Sequence, residues 1–163
     1  MTGTPTGSSV WPAYLLIALA METGFAFYDA KERRVPDRAL ACFFPFALLS
    51  PLIKLCLYPS AAFSICSAAL LGVLFGLMIP LAGAMTTGNG TGLGGGDIKF
   101  CALLGLLYGS SGVILVLLAA SLLALPTSLV CRRVAKERRP LSIPFVPFLL
   151  CGCLVVTAAQ IIL

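Results

Sequence analysis

Apolar residues run along this chain in long blocks separated by short polar or basic stretches. Most blocks are long enough to cross a hydrocarbon core of about 30 Å as one helix. The first covers residues 11–28 and is followed by a loop, 29–37, that carries Lys31, Arg33 and Arg34. The second, 39–58, contains Pro45 and Pro51, which a membrane helix tolerates when its neighbours satisfy the freed carbonyls. Pro36 and Asp37 stand where a helix start is expected. After a tight Tyr58-Pro59-Ser60 turn, the third block, 61–85, is rich in Gly, Ala and Ser, residues that let helices approach closely. A glycine-rich polar loop, 86–96, leads into a shorter block, 97–109. That block rises only about 20 Å at about 1.5 Å per residue, so Asp97 lies below the membrane surface or its helix starts earlier. Blocks 110–131 and 141–163 complete the chain. The pattern predicts an all-α membrane protein: a polytopic bundle of six transmembrane helices forming one domain over residues 1–163.

Composition agrees. At 60% hydrophobic and 10% charged residues, the chain lies outside the range of soluble globular proteins and belongs in a lipid bilayer. Its net charge of +5 raises nucleic acid as a partner, but the basic residues sit in two short runs beside apolar blocks, as cytoplasmic membrane loops do. Nine of the eleven Lys and Arg residues (Lys31, Arg33, Arg34, Arg38, Arg132, Arg133, Lys136, Arg138, Arg139) fall in the first and fifth loops. The positive-inside rule then puts both termini outside and the loops bearing Asp29 and Asp97 at the cytoplasm, with no nucleic-acid role. Residues 1–9 lack a basic n-region, so the first block is expected to stay as a span. Seven cysteines, no histidine and no Cys-x-x-Cys pair read as small buried residues rather than metal ligands or a disulfide framework. Neither a metal nor a cofactor is expected.

The chemistry centres on Gly94-Gly95-Gly96-Asp97-Ile98-Lys99, a carboxylate directly after a glycine run at the mouth of an apolar helix. Glycines there can take positive φ and admit a second backbone, which makes Gly94, Gly95 and Gly96 a seat for a peptide. The plainer alternative is a flexible turn with Asp97 as helix N-cap. A second carboxylate, Asp29, is predicted to lie on the same membrane face. Two aspartates brought together cannot both ionise cheaply, so one holds a proton while the other is charged. Such a pair can activate water against a peptide carbonyl and protonate the leaving group. Glu22, seven residues before Asp29, falls on nearly the same helix face. Its simpler account is a carboxyl hydrogen-bonded to a neighbouring helix. Lys99 points to another face of its helix and is expected to anchor it at the headgroups. Gly90-Thr91-Gly92-Leu93-Gly94-Gly95 formally matches a dinucleotide fingerprint, but no strand precedes it, and the match is accidental.

Taken together, Tyr28-Asp29, Arg33-Arg34-Val35-Pro36-Asp37, Gly94-Gly95-Gly96-Asp97-Ile98-Lys99 and Ile143-Pro144-Phe145-Val146-Pro147-Phe148 resemble the marks of the type IV prepilin peptidases. These are membrane aspartic peptidases of the Gly-x-Gly-Asp class in bacteria and archaea. The resemblance implies that Asp29 and Asp97 are the catalytic pair. It also implies that prepilin or pseudopilin precursors are the partners, cut after a glycine at the inner face of the cytoplasmic membrane. Two positions depart from the family pattern: Asp37 stands where asparagine is common, and Val146 where glycine is common. The resemblance is to the short form, as in tight-adherence pili, so the cysteine-bearing N-methylation domain of long members is not expected. A basic leader meeting a basic membrane face needs local acids, for which Glu32 and Asp37 are the candidates.

Two other classes compete. An ion-coupled transporter or channel subunit would relay protons through Glu22, Asp29 and Asp97, but such proteins place acids near the midplane and often have repeated halves. A non-catalytic assembly subunit would tolerate loss of either aspartate.

Overall fold

The computed structural model describes residues 7–32, 36–86, 94–134 and 145–162, and among them there is no strand. Helix α1 (Gly7–Glu32) is followed by α2 (Asp37–Leu57), a 3-10 turn at Pro59–Ala61, α3 (Ala62–Thr86), α4 (Gly95–Val134) and α5 (Val146–Ile162). Four stretches are long and apolar enough to cross a membrane: Val10–Glu32, Asp37–Leu57, Pro59–Met85 and Gly95–Thr127. Val146–Ile162 is apolar but shorter. Helix is the form these sequences must take in lipid, where every backbone N–H and C=O has to be satisfied internally. The large side chains left on the outside, among them Leu16, Phe27, Phe63, Leu70, Leu118 and Val155, are apolar. The chain is a multi-pass membrane protein.

Asp29 belongs to α1 rather than to the loop expected after residue 28. Ala30, Lys31 and Glu32 are good helix formers, and Lys31 complements the negative end of the helix dipole. The extra turn fixes the Asp29 side chain to a rigid element.

The expected blocks 97–109 and 110–131 form one element, α4, broken at Gly109, where φ is 79° and ψ is −177°. Contacts give the direction of each limb. Along the first, residues 95–108, Phe100 meets Phe25 and Phe43, the Leu107 carbonyl accepts a bond from Ser50 of α2 at 2.6 Å, and Tyr108 reaches Glu22 of α1. Along the second, residues 110–134, a Cβ on Gly112 would touch Val156, and one on Gly152 would meet the backbone of Val116. The second limb therefore retraces α5 while the first runs alongside it, so the chain reverses at Gly109. Only glycine takes that backbone conformation without strain.

The glycines of α3 fit the first limb of α4 backbone to backbone. A Cβ on Gly72 would run into the Gly105 carbonyl, one on Gly76 into the Cys101 carbonyl, and Ala68 packs 3.8 Å from a Cβ position on Gly109. Four-residue spacing on both helices makes one antiparallel seam of small residues, as expected from the composition of the third block.

Tyr14 faces the bundle interior: it is 5% exposed, stacks on Phe46 and donates to the Phe46 carbonyl at 2.7 Å. Of the cysteines, Cys101 and Cys153 are buried, whereas Cys42, Cys56, Cys66 and Cys151 lie on the outer surface, where a small apolar side chain suits lipid as well as a core.

Candidate active site

The site lies where the end of α1 meets the starts of α4 and α5. Asp29, 3% exposed, accepts a hydrogen bond at 3.2 Å from the Val146 N–H, the first helical residue of α5. The Phe145 N–H also bonds it. Pro147 has no N–H, and Phe148 and Leu149 donate to the Phe145 carbonyl. Asp29 thus satisfies the orphan donors at the start of a helix supplied by another part of the chain, and the positive end of that helix faces its carboxylate.

Asp97 is the third residue of α4 and half-buried. Its carboxyl reaches back to the Gly94 N–H, and its own N–H donates to the Gly94 carbonyl at 3.0 Å. This is one half of a capping box with glycine at the cap position, so the side chain three residues on does the capping. The plainer expectation of a helix-starting role is therefore correct in kind, at the third helical position rather than the N-cap. That role leaves Asp97 within electrostatic reach of Asp29, whose charge acts on it.

Three rings close the interior side. Phe25 lies one turn inward of Asp29 and Phe100 one turn inward of Asp97. With Phe43 of α2 they form a cluster with centroids 5.2 to 6.0 Å apart. Glu22, 1% exposed, lies a further turn in. Tyr108 donates to it at 3.2 Å and is 2.9 Å from Thr157, and Cys153 also bonds it. This is the hydrogen-bonded carboxyl of the simpler expectation, tying α1, α4 and α5 together. The aromatic floor separates it from the aspartates.

On the open side, Gly94 and Gly95 are exposed and Gly96 partly so. Gly95 and Gly96 are helical, and among the described residues positive φ occurs at Gly109 and not at Gly94 to Gly96. Those three therefore offer access rather than unusual torsion: nothing lies within 4 Å of a Cβ on Gly95. Glu32 is exposed, with the Tyr28 hydroxyl donating to it at 2.7 Å. Asp37 pairs with Lys99 at 2.8 Å, so Lys99 bridges α4 to α2 instead of turning to the headgroups. Arg33 to Val35, residues 87–93, Ile143 and Pro144 lie outside the described residues.

The arrangement brings Asp29 and Asp97 together beside an accessible glycine backbone, with Glu32 and Asp37 on the same side. What sequence reasoning missed is the backbone of Phe145 and Val146 as partner to Asp29, and the ring floor. The floor had a signal in the spacings of Phe25 and Phe100 from the aspartates.

Comparison with protein-family models matches residues 13–129 to the type IV leader peptidase family. Comparisons with curated proteins and with solved structures gave no match.

Proposed function

Since the chain belongs to the type IV leader peptidase family, and is therefore a protease, we propose that it is an aspartic endopeptidase that removes the leader of prepilin or pseudopilin precursors with Asp29 and Asp97. The observation that carries this reading is the pair itself: two carboxyls on rigid helix ends, close enough to act on each other electrostatically, backed by apolar rings and open toward glycine backbone. One carboxyl takes a proton from water as it attacks the peptide carbonyl, and the other protonates the leaving nitrogen. Asp29, tethered by the α5 backbone, keeps the geometry fixed while water and proton move. Cells making the chain with a co-expressed prepilin should accumulate the shortened form, and cells making Asp97→Asn should not. Unprocessed precursor in both would end the proposal.

We take the helices as six passes, with Gly109 as the turn between the fourth and fifth, and the aspartate end as cytoplasmic by the distribution of basic residues. A cysteine replacing Ser60 should react with an impermeant thiol reagent on intact cells, in a background without native cysteines. One replacing Lys31 should react only after permeabilisation. The reverse pattern would invert the orientation.

In this reading Glu32 and Asp37 receive the basic leader. Because the Asp37–Lys99 pair is exposed, it is worth at most about 1 kcal/mol, so a substrate cation can displace Lys99. Glu32→Lys with Asp37→Lys should raise KM with little change in kcat, and Lys99→Gln should lower KM. An unchanged KM in the double variant would remove the acids from recognition.

A further inference from the structure

At the end of the bundle opposite the aspartates, α1, the end of α2, the start of α3 and the end of α5 enclose a groove of about 450 Å³. Trp11, Lys54, Tyr58 and Gln160 line it, with Leu57 and Ile65 forming an apolar wall. Lys54 lies in the last turn of α2, and its Nζ stands 4.6 Å from the centre of the Trp11 ring. Helix-end carbonyls and the ring face attract the ammonium, yet neither supplies a counter-charge. The single ion pair among the described residues is Lys99–Asp37, at the other end. The described acids, Glu22, Asp29, Glu32, Asp37 and Asp97, all lie in mid-bundle or toward that end. In the same groove the Oε1 of Gln160 is buried without a hydrogen-bond partner among the described residues.

Among the described residues, the groove therefore holds a cation without an anion beside an acceptor without a donor, and each is costly to leave unmet away from water. A ligand that answers both carries a negative charge and a hydrogen-bond donor a few ångströms from it. Trp11 and Tyr58 are the residue types of the membrane interface, and the apolar wall continues onto the lipid-facing surface. We propose that this groove binds the headgroup of an anionic glycerophospholipid, with the phosphate on Lys54 and a headgroup hydroxyl donating to Gln160. Phosphatidylglycerol has both groups. Phosphatidylcholine has the phosphate but neither the net charge nor a headgroup donor.

Trp11 is the chain's only tryptophan, so its fluorescence reports on the groove directly. The full chain is reconstituted in phosphatidylcholine vesicles, and its quenching by brominated phosphatidylglycerol is compared with that by brominated phosphatidylcholine at equal mole fractions. The glycerol lipid should quench wild type at a several-fold lower mole fraction. Lys54→Gln should make the two lipids equal, Lys54→Arg should keep the preference, and Gln160→Leu should reduce it. Equal quenching of wild type, or a preference that survives in Lys54→Gln, would overturn the proposal. Inorganic phosphate added to detergent-solubilised protein should leave the emission unchanged. A phosphate response abolished by Lys54→Gln, without lipid preference in vesicles, would overturn the lipid and assign a free anion.

Discussion

Asp29→Asn, Asp97→Asn and the double variant should each lose nearly all cleavage, by roughly 10³-fold or more, and the double should be scarcely worse than either single. General acid and general base contributions are each typically about 10²- to 10⁴-fold, and members of one catalytic unit are strongly non-additive. The fold should survive. An asparagine at position 29 can still accept the Val146 N–H through its carbonyl oxygen, and one at 97 can still accept from Gly94, so both caps persist while the titrating group is gone. Turnover of a prepilin by purified variants with matched elution profiles and melting temperatures separates chemistry from stability. Substantial turnover by either single variant would rule out the dyad. Unfolding of both would leave capping as their only role.

Gly105→Val should be the most damaging single change to the scaffold. Its Cβ would be driven into the Gly72 carbonyl, a backbone atom that no rotamer can move aside. The α3–α4 seam would have to open along its length. Overpacking of this kind costs about 1–3 kcal/mol or more, and because the first limb of α4 carries Asp97, cleavage should fall with stability. Gly24→Ala is the control: a Cβ there meets nothing within 4 Å, and losing glycine from a helix interior should be neutral or stabilising by up to about 1 kcal/mol. Thermal unfolding in detergent distinguishes the two, and a Gly105→Val protein melting with wild type would contradict backbone contact at the seam.

The membrane class, the small-residue seam and the pairing of Asp29 with Asp97 were legible because each rests on local composition or on charge counted along the chain. Long apolar runs admit only helix in lipid, and the gathering of Lys31, Arg33, Arg34 and Arg38 beside Asp29 marked one face. Less legible was whatever depends on which backbone ends meet. The Val146 N–H that holds Asp29 lies 117 residues away along the chain and has no side-chain signature. The special torsion was expected at Gly94 to Gly96, where glycines are dense, and it occurs at Gly109, where the chain has to turn back. Density of glycine signals access; a reversal between two helical limbs demands the torsion. Likewise the helix that carries Lys99 holds no sign of its partner, Asp37, which belongs to α2.

The most direct test of the central claim is to incubate the purified chain with a full-length prepilin and determine the mass of the product's new amino terminus. The expected result is a single cut after the glycine that ends the basic leader, present with wild type and absent with Asp29→Asn or Asp97→Asn. An intact precursor in the presence of folded, monodisperse protein, or a cut that persists without either aspartate, would contradict it.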